Sequence, residues 1–158
     1  VSAFSGGTLD GVTLDTDDGQ GRAVSLRCSG RQVEVEVGIG NVSAQTRPWR
    51  FGCEVQGALQ GQLVLQGERA GGGMRDERHG RWSAGPVQLE LRSLHRWAGA
   101  AWPSPMPVGY VVLDGAREVG LLELNGPAPR LWRPAPGSPL REHVTHALLA
   151  LALVWDPA

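Results

Sequence analysis

The sequence contains no lysine: all fifteen of its basic residues are arginine. A phosphate-binding loop of the Walker type needs a lysine on the β- and γ-phosphates, and Schiff-base chemistry needs an amine nucleophile, so both mechanisms are excluded. Isoleucine occurs once, at Ile39, and asparagine twice, at Asn41 and Asn125. That poverty matches the codon bias of a GC-rich genome, so arginine richness alone carries no functional weight. Two cysteines, Cys28 and Cys53, are too few for a disulfide scaffold or a thiolate zinc cage, and they read as buried thiols in a reducing cytoplasm. Val1–Gly7 has neither a basic region nor an apolar run, so no signal peptide is expected.

Fifteen basic against sixteen acidic residues leave a net charge of −1, which supplies no counterion-release term for nucleic acid, and no nucleic-acid partner is expected. The length of 158 residues suits one domain, and 41% hydrophobic with 20% charged residues describes a folded chain. Twenty-three glycines and eleven prolines favour many short elements joined by tight turns.

Most of the chain alternates with period two. Arg22–Cys28 and Gln32–Val37 read as a hairpin about a Ser29–Gly30 turn, with valines on one face and Gln and Glu on the other. Further strands are expected over Val12–Leu14, Trp49–Val55, Gln62–Gln66, Val87–Leu91, Tyr110–Leu113, Val119–Leu124 and Arg130–Arg133. Asp114–Gly115 and Asn125–Gly126 are turn dipeptides, which makes Gly109–Arg133 a three-stranded meander. The glycine-rich, charged stretch Gly67–Gly80 reads as a loop.

The segment Leu140–Trp155 departs from this pattern. Ser138 is placed to cap a helix and Pro139 suits its first position, so a helix over 139–155 is expected. From Ala147 to Trp155 every residue is apolar, and such a helix must be surrounded on all sides. Sixteen residues span about 24 Å, less than the ~30 Å hydrocarbon core, so no transmembrane segment is expected. The remaining apolar solvent is the protein's own sheet. The expected fold is mainly β: an antiparallel, closed or nearly closed barrel of about ten to twelve strands around the C-terminal helix, one domain over 1–158. Leu149 is expected to be enclosed, so that an aspartate there would unfold the chain.

The run GYVVLDGAREVGLLELNG followed by LWRPAPGSPLREHVTHALLALALVWDP, between Gly109 and Pro157, resembles the tubby C-terminal-like superfamily, which includes LURP-one-related proteins and phospholipid scramblases. The resemblance covers about a third of the chain and implies a twelve-stranded barrel threaded by a helix. It also implies roles in membrane association, phosphoinositide binding or lipid movement. The lysines among the phosphoinositide contacts of tubby proteins have no counterpart here, nor does an acidic calcium segment of scramblase type.

Four tryptophans adjoin an arginine: Trp49–Arg50, Arg81–Trp82, Arg96–Trp97 and Trp132–Arg133. Strand neighbours point to opposite faces, so each indole is expected inside and each guanidinium in water. His143 and His146 share a helix face with Glu142, without the spacing of a metalloprotease motif, and read as the polar mouth of the barrel. Asp15–Gly21 lacks the ligand pattern of a calcium loop and reads as a solvated hairpin turn. Gly38–Ile39–Gly40 is not followed by a helix and is no dinucleotide fingerprint. A hydrolase built from a serine, His79 or His95 and an aspartate would be geometric rather than sequential. No catalytic residue, metal ligand or cofactor is assigned. The leading expectation is a cytoplasmic binding or adaptor domain associated with anionic lipid or a protein partner, with Arg75, Arg78 and Arg81 as anion contacts. The alternatives are a small enzyme with its site near His143 and His146, and a purely structural interaction domain.

Overall fold

The computed structural model describes residues 9–31, 49–70 and 75–154. Among them nine strands form one antiparallel sheet, paired strictly in chain order. The strands are β1 (Leu9–Asp17), β2 (Ala23–Arg31), β3 (Arg50–Gly57), β4 (Gly61–Ala70), β5 (Arg75–Ala84), β6 (Val87–Leu94), β7 (Gly109–Asp114), β8 (Arg117–Glu123) and β9 (Arg130–Trp132). A single helix follows, α1 (Arg141–Leu153). The mainly β class and the C-terminal helix thus follow the sequence pattern. In place of a closed or nearly closed barrel of about ten to twelve strands, the described residues form a nine-stranded sheet in which no pair joins β1 to β9.

One face of that sheet carries the core. Alternation puts Val24, Leu26 and Cys28 of β2, Phe51, Cys53 and Val55 of β3, and Leu63 and Leu65 of β4 on the same buried side. Trp82, Leu89, Leu91, Tyr110, Val112 and Leu122 continue it across the sheet. The helix lies against this face, and Val144, Ala147, Leu148, Ala150 and Leu151 have no exposed surface. Its first turns reach widely separated strands. Trp82 of β5 touches His143, Gly120 of β8 lies under Val144, and the Glu142 carboxylate stands over Gly19 in the β1–β2 turn. Only a strongly curved sheet brings those three places to one short helix.

The helix runs from Arg141 to Leu153 rather than over 139–155, and residue 155 lies outside the described residues. Leu140 is the cap residue without a side-chain cap; the Ser138 hydroxyl instead accepts the Leu140 N–H. Leu149 is half-buried, so Leu148 and not Leu149 is the enclosed leucine of that turn. Among the described residues no helix is long and apolar enough to cross a membrane.

Three further expectations change. Ser29–Gly30 is no turn: β2 continues through it, with Gly30 opposite Phe51, and Gln32–Val37 lies outside the described residues. Of the stretch Gly67–Gly80, Gly67–Ala70 and Arg75–Gly80 are paired strand rather than loop, from Gly67–Arg78 to Ala70–Arg75, and 71–74 lie outside the described residues. Gly80 is there because a Cβ would collide with the Val64 carbonyl oxygen. Cys28 and Cys53 are not thiols; opposite each other in the β2–β3 register, they form a buried disulfide. Disulfides persist in oxidising surroundings, so the thiol-based argument for a reducing cytoplasm falls with the thiols. The turn is shorter than Asp15–Gly21, since Asp15–Asp17 belong to β1, and it is not wholly solvated: the buried Asp18 accepts the Gln20 and Arg22 N–H groups and the Arg22 guanidinium. Burial pushes the Asp18 carboxyl up, but these hydrogen bonds and the Arg22 charge outweigh it and hold its pKa low.

Candidate functional site

The connection from β6 to β7, residues 95–108, has no regular secondary structure yet is tied at every stage. At its neck His95 and Ser104 meet twice: the Ser104 N–H donates to the His95 carbonyl, and His95 Nδ1 lies 3.0 Å from the Ser104 carbonyl oxygen. A carbonyl can only accept, so Nδ1 carries the proton and Nε2 accepts from the Ser93 hydroxyl at 2.8 Å. Within the loop the Arg96 guanidinium donates to the carbonyls of Ala100 and Ala101. Below the neck, Val108 N–H reaches Leu94 O and Asp76 N–H reaches Pro105 O, which fastens the loop to the start of β5.

This rigid loop holds its apolar side chains outward. Trp102 is 83% exposed, Trp97 47% and Met106 40%. From Arg92 through Leu113 there is no Asp or Glu, whereas Arg92, His95 and Arg96 fall in that stretch. The carboxylates nearest its anchor, Asp76 and Glu77, are ion-paired with Arg78 and Arg75. The tip therefore combines two tryptophans, a methionine and a cation with no free acid of its own.

Beneath it lies a buried polar assembly. Arg78, 7% exposed, donates to the Tyr110 hydroxyl at 3.2 Å and to the Asp76 carboxylate at 3.1 Å, and stacks 4.2 Å over the Trp49 ring. Its backbone N–H donates to Ser93 Oγ, so the arginine is coupled through Ser93 and His95 to the neck of the loop. Burial pushes the Tyr110 phenol above its ordinary pKa, with Arg78 opposing, and the hydroxyl stays protonated at neutral pH. Ser93 and His95 have the hydrogen bond of a nucleophile and base, but the serine oxygen also accepts the Arg78 N–H and serves as part of this brace.

The three arginines do not form one surface. Arg78 points inward and is a structural brace, not an anion contact; Arg75 and Arg81 occupy the opposite, outer face of β5. Arg75 begins the strand next to the loop anchor, while Arg81 stands higher, between Val64 and Glu90. At the helix, Glu142 and His143 are half-buried, whereas His146 is wholly enclosed. His146 Nδ1 donates to the Glu142 carbonyl, and its Nε2 has no partner among the described residues. Among the described residues no three His, Cys, Asp or Glu side chains are placed to hold a metal ion. Of the Trp–Arg pairs, only Arg81–Trp82 has the indole fully inside; Trp49 is half-buried, and Trp97 and Trp132 are out because one sits in a loop and the other on an edge strand. Sequence reasoning missed the loop, although two tryptophans and three prolines within an acid-free stretch were there to be read.

Comparison with protein-family models, with curated proteins and with solved structures finds no match for this chain.

Proposed function

We propose that the chain is a non-catalytic binding domain of tubby-like type that docks on anionic lipid surfaces through the Trp97–Trp102–Met106 loop. The observation that carries the reading is Trp102, 83% exposed at the tip of a loop braced from neck to base. The loop backbone is already braced by hydrogen bonds, so little of its entropy is lost when the indole is covered, and tryptophan prefers the headgroup region of a bilayer. Covering its exposed face, on the order of 150 Å², is worth about 4 kcal/mol at ~25 cal/mol per Å². Arg96 supplies the attraction to anionic headgroups, since Arg75 is paired with Glu77, and Arg78 holds the platform from inside. What supports the tubby-like type is the sequential antiparallel sheet with a C-terminal helix packed on its buried face.

Flotation with phosphatidylcholine vesicles, with and without phosphatidylglycerol, tests the proposal. Co-flotation with the anionic vesicles, lost in Trp102→Ala at unchanged fold, is the expected result. Equal recovery of wild type and Trp102→Ala, or no flotation with either vesicle, overturns it.

A further inference from the structure

Strand β8 is longer than its outer neighbour. On one side β7 pairs along it from Asp114–Arg117 to Gly109–Glu123. On the other, β9 covers only Leu121, Leu122 and Glu123, through Trp132, Leu131 and Arg130. The chain then leaves the sheet at Pro134, which has no N–H to pair, and the Arg141 guanidinium holds the Pro134 carbonyl in its departing course. Along Arg117–Gly120, about 13 Å of strand at ~3.3 Å per residue, no strand lies on that edge among the described residues.

The vacant lane is also a groove. A depression of about 420 Å³ runs between Arg117–Leu121 on one wall and Trp132, Arg133, Pro134 and Leu140 on the other. Val119, Leu140 and the half-exposed Trp132 give it apolar surface, and Arg117 and Arg133 give it two cations against the single Glu118. Edge strands are normally guarded by charge; Arg117 and Glu118 carry it at one end of the uncovered stretch, while Val119 and Gly120 at the other end carry none. Arg133 has one guanidinium nitrogen on Thr145 Oγ1, and among the described residues Arg117 meets only the exposed Asp114, which leaves both with capacity for a further carboxylate.

We infer that this half-edge of β8 takes an extended segment of a partner polypeptide as an added strand, in line with β9, and that the segment alternates aliphatic and acidic side chains. Backbone pairing to Arg117–Gly120 supplies the affinity, as in strand addition generally. The aliphatic side chains pack on Val119, Trp132 and Leu140, and the carboxylates meet Arg117 and Arg133. The site is remote in sequence from the tryptophan loop and needs no lipid.

Fluorescence anisotropy with a labelled hexapeptide of alternating glutamate and valine, in lipid-free buffer, tests the inference. Two analogues carry backbone N-methyl groups on one or the other alternate set of residues, and a third replaces glutamate by lysine. One methylated set should lose at least about tenfold in affinity while the other binds as the parent does, because only alternate amides face the host strand. The lysine peptide should not bind, Trp132→Ala and Arg133→Glu should each weaken binding about tenfold or more, and Trp102→Ala should leave it unchanged. No binding of the parent peptide at millimolar concentration, or equal binding by both methylated sets, overturns the inference. Self-association in sedimentation that Arg133→Glu abolishes also overturns it, and assigns the edge to a second copy of the chain.

Discussion

Trp82 and His143 meet through one hydrogen bond between the sheet and the helix: the indole N–H of Trp82 donates to His143 Nδ1 at 3.2 Å, the rings nearly perpendicular. The bond fixes a protonation state. Nδ1 can accept only while it is unprotonated, so the proton of the neutral imidazole is on Nε2.

A pH dependence follows from this bond. Burial first, and the neighbouring His146 second, lower the His143 pKa below the ordinary 6.5, with Glu142 opposing. A base whose folded pKa is depressed contributes stability that is complete above its unfolded pKa and declines as pH falls from there through the folded value. Thermal denaturation monitored by tryptophan fluorescence should therefore show declining stability below about pH 6.5. In His143→Gln, whose amide oxygen can still accept from Trp82, that part of the decline should be absent. An unchanged pH profile in this variant would remove His143 as its source.

The disulfide between Cys28 and Cys53 closes a loop of 25 residues' separation inside the core. In the chain-entropy account a loop of that size stabilises by about 3.5 kcal/mol, through restriction of the unfolded chain. Urea denaturation with and without dithiothreitol measures it. Reduction should lower the midpoint, and the double substitution Cys28→Ser, Cys53→Ser should be lower still, since each hydroxyl replaces sulfur in an apolar site.

Leu148 and Leu149 separate two ways of covering the helix. Leu148 has no exposed surface and Leu149 is half-buried. Leu148→Ala should cost about 2–5 kcal/mol, and Leu148→Asp should abolish folding. Leu149→Asp should leave a folded protein of reduced stability, because a carboxylate there can reach water. Circular dichroism melts of the three variants give the comparison.

Gly120 sets how closely β8 approaches the helix. A Cβ at that position would collide with Val144 Cγ1. Gly120→Ala should therefore destabilise by about 1–3 kcal/mol through overpacking. Val144→Ala alone creates a void, but combined with Gly120→Ala it removes the clash. The double variant should be more stable than the sum of the single effects predicts, and a strictly additive cycle would place the conflict elsewhere.

The elements legible in the sequence are those with an unbroken period. Val24, Leu26 and Cys28 alternate cleanly, and the apolar run from Ala147 has only one economical solution, burial against the sheet. Glycines misled at Gly30, Gly67 and Gly80, where they sit within paired strands rather than at turns; the Val64 carbonyl under Gly80 is a contact that only the register reveals. The Cys28–Cys53 pairing was hidden for the same reason, since it depends on which strand lies beside β2. Arg78 looked like a surface cation because a single charge in a charged stretch carries no mark of burial. Its partners Tyr110 and Trp49 are 32 and 29 positions away in chain order, and only folding brings them to it.

Arg78 also links stability to the loop that carries Trp102. Its guanidinium is held by Tyr110, Asp76 and the Trp49 ring, and its N–H positions Ser93, which in turn bonds His95 at the neck. Arg78→Met preserves much of the side-chain volume and removes the charge, leaving the Asp76 carboxylate and the Tyr110 hydroxyl without their donor. That loss should cost about 1–3 kcal/mol. The backbone donor to Ser93 survives the substitution, whereas His95→Ala cuts the neck itself and leaves the arginine cluster intact. Limited proteolysis distinguishes the two: His95→Ala should be cleaved within residues 96–103 at a melting temperature near that of the wild type, while Arg78→Met should melt earlier with its loop still protected. If Arg78→Met instead exposes the loop first, the guanidinium contacts are what hold the neck, and the Ser93–His95 bond is secondary.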